Sequence, residues 1–228
     1  MKLFQQQTQE TRVRASLKNE KESSRIQPPI SFRSYDNANN VWNLFGKYLG
    51  HVISYPERTW HPLFSLIHSV IESGKASLEA EALTLSVSIE GLLKREFSAL
   101  AMPDEVFKKQ VNKAQNIIDT PELSDSIKER MSGFLGAMLS PRAKDRLFIL
   151  RDKRFIYKEL IESWDKLRNS STHADSPESV DFQTYLNRCN SVLVLFYHLV
   201  FLAIGYTGEY TDYSSYDYPT KSFDQIMA

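Results

Sequence analysis

The chain has 228 residues, enough for one medium-sized domain with a real core. Its 28 basic residues balance its 28 acidic ones, so the whole molecule is no generic polyanion binder, and any nucleic-acid contact must come from a local patch. The single cysteine, Cys189, excludes an intrachain disulfide and a cysteine metal site, which suits a reducing cytoplasm.

Residues 1–35 are polar and rich in Gln, Ser, Lys and Glu, and they end in QPPISFRS. They predict a mobile tail closed by a short extended piece. No apolar core of signal-peptide length stands at the N-terminus. Helical signals then run almost without pause. In DNANNVWNLFGKYLGHVIS, Val41, Leu44, Phe45, Tyr48, Leu49 and Val52 recur at three- and four-residue spacing. HPLFSLIHSVIESG places Pro62 at a first helical position and Gly74 as a stop. A long helix is predicted over 77–100, ended by Pro103, and another over 104–119, capped by Asp104. After Pro121 come LSDSIKERMSGFLGAMLS and then SPRAKDRLFILRD, entered through serine and proline. IYKELIESWDKLRN is an amphipathic helix, followed by a polar turn.

VDFQTYLNRCNSVLVLFYHLVFLAIG completes the series. Its longest apolar run, 191–205, contains His198 and falls short of the ~20 residues that span a bilayer. It reads as a buried central helix, with His198 a hydrogen-bonded core residue, and no membrane partner is expected. The fold class is therefore all-α, a bundle of seven or eight helices over residues 36–208. Residues 209–228 read as an aromatic, acidic tail, with Tyr210, Tyr213, Tyr216 and Tyr218 packing on the bundle or a partner.

The familiar site signatures are missing: no glycine-rich phosphate loop, no GxSxG, no HExxH and no CxxC pair. His61 and His68 lie two turns apart on one predicted helix, too far to chelate one ion. Neither a metal nor a cofactor is expected.

LRNSSTHAD, residues 167–175, stands out. Its arginine, asparagine and histidine, Arg168-Asn169-x-x-x-His173, resemble the RxxxxH motif of the HEPN superfamily. The resemblance extends to EALTLSVSIEGLLKREF (81–97), similar to the glutamate-bearing helix of the Apea-like HEPN families. It also covers ESWDKLRNSSTHAD, with Trp164 before the motif, and YPERTWHPLFSLIHSVIESG ahead of the glutamate helix. It spans roughly residues 38–207. Larger members carry an additional N-terminal domain, of which these residues show no counterpart.

The resemblance implies a helical, metal-independent endoribonuclease working as a homodimer in the cytoplasm, with a prokaryotic defence or toxin role and RNA as substrate. It also leaves room for an inhibitory or sensing protein partner. Cleavage by the RNA's own 2′-hydroxyl would give 2′,3′-cyclic phosphate and 5′-hydroxyl ends.

Elementary chemistry agrees with such roles. Histidine titrates near neutrality and can serve as general acid or base, and arginine offers a fork of donors to phosphate. On a continuous helix five residues advance ~500°, so Arg168 and His173 would stand ~140° apart. They need a kink, a helix end, or a second copy facing the first. Asn169 would position the pair or cap the helix. Glu90, among Val87, Ile89 and Leu93, is expected to hold Arg168, to orient His173, or to pair with Lys94 four residues on.

The competing reading makes the segment a plain helix end, Arg168 pairing with Asp165 or Glu162 and His173 capping the C-terminus. Residues 141–158 hold seven basic and two acidic residues, a net of plus five. Arg142, Lys144, Arg146, Arg151, Lys153 and Arg154 are candidate RNA contacts, with Phe148, Phe155 and Tyr157 between them as stacking surfaces. Otherwise the block is a solvated helix face. Two further functions compete with cleavage: a non-catalytic module binding a nucleotide or protein, and a structural dimerisation bundle.

Overall fold

The computed structural model describes residues 27–31, 38–56, 60–119, 122–172 and 181–224. The described residues form an all-α bundle of eight helices with one short ribbon: α1 (Ala38–Ile53), α2 (Pro62–Ala76), α3 (Leu78–Glu96), α4 (Glu105–Ile118), α5 (Asp125–Met138), α6 (Ala143–Asp152), α7 (Lys158–Thr172), α8 (Phe182–Ile204), β1 (Gly208–Thr211) and β2 (Thr220–Phe223).

The caps explain several boundaries. Asp104 accepts the Phe107 N–H at 2.7 Å, and Asp181 accepts the Thr184 N–H at 3.0 Å. Ser77 both closes α2 and opens α3, its hydroxyl accepting from the Ala80 N–H. Gly74 therefore does not stop α2, which runs two residues further. Likewise α6 is entered through Arg142, whose side chain and backbone N–H meet Asp145, and not through Ser140.

The core is built on three helices. α3 packs against α2, α7 and α8, and α7 packs against α8. α8 buries twelve residues, from Cys189 to Ile204, around much of its circumference. By length and composition this 23-residue helix could cross a membrane; in the bundle its apolar side chains are covered by α3, α7 and the ribbon. Burying each Leu, Val or Phe contributes roughly 1.5–3 kcal/mol against leaving it in water. α4 and α5 behave differently. They pack chiefly on each other, and α5 has no buried residue.

Within the stretch expected as a tail, residues 208–223 instead fold into a ribbon over the bundle. β1 and β2 pair antiparallel, with Gly208 opposite Phe223 and Tyr210 opposite Lys221. Gly205, at φ 66°, ends α8 with a left-handed cap: Tyr206 N–H reaches the Phe201 carbonyl at 2.9 Å, and Gly205 N–H the Leu202 carbonyl at 3.4 Å. The chain then folds back over the helix. Tyr210, Tyr213 and Phe223 join the core, whereas Tyr216 stays in solvent.

Residues 27–31 tie in from the other end. The Tyr197 hydroxyl donates to the Gln27 carbonyl, Tyr213 to that of Pro28 at 2.7 Å, and the Thr211 N–H to that of Pro29 at 2.9 Å. Ile30 is buried beneath them. The mobile tail expected over 1–35 otherwise falls on residues outside those described.

His198 sits under the ribbon, its ring 4.8 Å from both Tyr210 and Phe223. It is a core residue, but neither ring nitrogen has a hydrogen-bond partner, which corrects the hydrogen-bonded role expected of it. Burial pushes its pKa down to about 4, against a smaller opposite pull from Asp212. Asp212, buried at the turn, accepts from Lys221 at 2.6 Å, Ser215 at 2.6 Å and the Ser214 N–H at 2.9 Å. Burial works to raise its carboxyl, but these bonds outweigh it and hold the group below the usual range.

Candidate functional site

α7 is set by its inner face. Leu160, Ile161, Trp164 and Leu167 are buried at three- and four-residue spacing, which turns Arg168 and Asn169 outward, and both are exposed. α3 does the same opposite: Ile89, Leu92 and Leu93 point inward, and Glu90 emerges at the edge facing α7. The two elements bring Glu90 and Arg168 together across 78 residues of sequence, the Arg168 Nε donating to Glu90 Oε1. The guanidinium carbon lies 5.7 Å from the Trp164 ring centroid, within cation–π range. Of the partners open in the sequence, Glu90 rather than Asp165 or Glu162 holds Arg168. Asp165 pairs instead with Lys144 at 2.7 Å, and Glu162 with Lys158 at 3.0 Å.

Both members of the Glu90–Arg168 pair are about two-fifths exposed. Solvent screens such a pair, so its net worth to stability is about 0–1 kcal/mol. Stability therefore does not account for the arrangement, whereas orientation does: a planar guanidinium beside an indole face and fixed by a carboxylate is held in one pose at the surface.

α7 does not end at Asn169. It continues through Ser170 and Ser171 to Thr172, so no polar turn separates Arg168 from Thr172. His173 lies outside the described residues.

The basic block is less open than its net charge suggested. Arg142 is bound to Asp145 at 2.8 Å, Lys144 to Asp165 at 2.7 Å, and Arg151 to Asp152 at 2.7 Å. Asp145 is held below the usual carboxylate range chiefly by its bond from Arg142. Arg146 is buried, so it presents no guanidinium to a passing phosphate, contrary to its place among the RNA contacts. Phe148 is occupied as well, with Arg151 4.7 Å and Lys144 5.9 Å from its ring centroid. Lys153 and Arg154 are exposed, Arg154 in the left-handed region at φ 61°. Tyr157 is exposed too.

Two open clefts flank the bundle elsewhere. One, of about 330 Å³, lies between Pro103, Phe107, Met138 and Pro141. The other, of about 320 Å³, is lined by Glu96, Phe97, Leu100, Lys153, Phe155 and Leu202. Neither is lined by Arg168 or Glu90.

Sequence reasoning missed a second polar cluster. His61 is not a helix-face residue seven positions from a partner; it is the N-cap of α2, its Nδ1 accepting the Leu63 N–H at 3.0 Å. Its neighbours are His51 on α1, ring centroids 4.9 Å apart, and Glu96 at the end of α3. Burial, reinforced by His51, pushes the His61 pKa down. His68 is exposed. Nothing in the spacing of positions 51, 61 and 96 announces their meeting, which depends on how α1 docks on α8 and α2 on α3.

Comparison of the chain with models of known families, with curated proteins and with solved structures finds no match.

Proposed function

We propose that the chain is a metal-independent endoribonuclease of the HEPN type. His173 is the general acid or base, Arg168 stabilises charge on the phosphorane, Asn169 supports the geometry and Glu90 positions the arginine. The observation that carries the reading is the Glu90–Arg168 pair over Trp164. Two helices far apart in sequence hold one arginine at the surface, at little benefit to stability, inside the segment that bears the RxxxxH pattern. Such a cation, oriented before its ligand arrives, suits an equatorial phosphate oxygen that gains charge in the transition state.

The unbroken run of α7 to Thr172 supports a two-copy site. No kink between Arg168 and Thr172 turns the chain back toward the arginine, and a second protomer about a two-fold axis would bring a second motif to the same cleft. Leu83 and Val87, exposed on the α3 stripe that leads to Glu90, provide apolar surface for that second copy.

Mass spectrometry of RNA ends after incubation in chelator tests the reading. The wild-type chain yields 2′,3′-cyclic phosphate and 5′-hydroxyl ends, and His173→Ala loses ~10²–10⁴-fold in rate. Full activity in His173→Ala, or activity that vanishes with chelator while circular dichroism shows the chain still folded, would sink it.

One observation favours the alternative, a non-catalytic module that binds a nucleotide or protein at the same face. Three of the six candidate RNA-contacting cations already hold carboxylates, and a fourth is buried. RNA binding without cleavage by the purified chain would select it.

A further inference from the structure

We propose that His51, His61 and Glu96 form a binding site for a divalent transition-metal ion, zinc by preference. The ion would tie the end of α1 to the start of α2 and the end of α3. This site is separate from Arg168 and structural in role, and it does not depend on the ribonuclease reading.

The ligand atoms of the three residues all lie within 4.8 Å of one another, and among the described residues this is the one such group of three or more. His51 Nε2 is buried without a hydrogen-bond partner and stands 3.5 Å from Glu96 Oε2. That gap is long for a charge-assisted hydrogen bond, which closes to roughly 2.7–2.9 Å. It matches the roughly 3.3–3.5 Å between two ligands of a tetrahedral ion with bonds of about 2.0–2.2 Å. The two imidazoles meet edge to face at 65°, and Tyr55 covers His61 at 4.7 Å.

Two imidazoles and one carboxylate suit zinc and leave a fourth position for water. They do not suit calcium or magnesium, which take oxygen ligands. Arg95, beside Glu96, works against a cation.

The site has a cost built into it. A neutral imidazole that accepts at Nδ1 carries its proton on Nε2, and His61 Nδ1 now accepts from Leu63. The ion must either displace that N–H at Nδ1, or take Nε2 after the proton moves to Nδ1. Both routes exchange the α2 cap bond for the metal bond.

The test is calorimetric titration of the full chain, first dialysed against chelator, with zinc chloride and separately with magnesium chloride, alongside thermal unfolding. One zinc per chain is expected, with a raised melting temperature and no response to magnesium. His51→Ala and Glu96→Gln should each weaken zinc binding by at least about tenfold. His61→Asn retains a capping acceptor while removing the imidazole, and should weaken it equally at unchanged helicity by circular dichroism. If His51→Ala fails to fold, Glu96→Gln and His61→Asn decide. No saturable zinc binding, a magnesium response of equal strength, or undiminished zinc binding in these variants would overturn the site.

Discussion

α7 and α8 end in opposite ways. α8 closes on a left-handed glycine, its last carbonyls are taken by Gly205 and Tyr206, and the ribbon folds back over its final turns. α7 ends in Arg-Asn-Ser-Ser-Thr, with its arginine turned outward and held by a carboxylate from another helix. The first end is built for stability, because it buries aromatic surface and leaves few backbone groups in water. The second commits side chains to an exposed pose with little energetic return. A helix end that does little for stability but fixes a charged group is where function is sought.

Four measurements break or sharpen that contrast. Phe201→Ala, beneath the ribbon, should cost about 3–5 kcal/mol in denaturant unfolding, since Phe201 packs against Tyr206, Tyr210 and Phe223. A loss under 1 kcal/mol would mean that the ribbon is not part of the core. Arg168→Ala should do the reverse, lowering RNA cleavage about 10²–10³-fold while shifting stability by no more than ~1 kcal/mol. If the variant unfolds and keeps its specific activity per folded molecule, the two ends are alike and Arg168 is structural.

Acid tests the α8 end again. His198 has a folded pKa pushed to about 4, below the ~6.5 of the unfolded chain. The unfolded state thus binds the proton more readily. Stability from this group is complete above pH ~6.5 and is lost as pH falls toward 4, by about 3 kcal/mol in all. His198→Leu should flatten that part of the stability profile; an unaltered slope would place the acid sensitivity elsewhere. The smallest effect is expected of Gly205→Ala. A side chain there meets no atom within 4 Å, so the cost is that of the left-handed backbone alone, about 1–2 kcal/mol.

The sequence reading found all eight helices of the described residues because each carries a period that its own residues supply. The ribbon was hidden for the opposite reason. Two four-residue strands owe their existence to each other and to α8 beneath them, and neither YTDYSSYDYPT nor its flanks carries that information alone. Glu90 was legible as a carboxylate in need of a partner, with Arg168, His173 and Lys94 all open; that Arg168 takes it follows from how α3 docks on α7.

The basic block shows the limit of counting charges. Arg142 and Asp145 stand three apart and could have been paired from spacing, but the Lys144–Asp165 pair crosses between helices, and the burial of Arg146 depends on packing. The His51–His61–Glu96 cluster has no local signature at all.

The knot of bonds between residues 27–31 and the C-terminal ribbon sets a schedule for synthesis. Pro28 and Tyr213 are 185 positions apart. At ~5–20 residues per second on the ribosome, Pro28 waits roughly 10–40 s for Tyr213 to be added. Pro28 and Pro29 therefore find their partners late, and a chain cut short before the ribbon lacks the Tyr213 and Thr211 groups that fasten them. Synthesis of the ribbon is itself the step that closes this part of the fold.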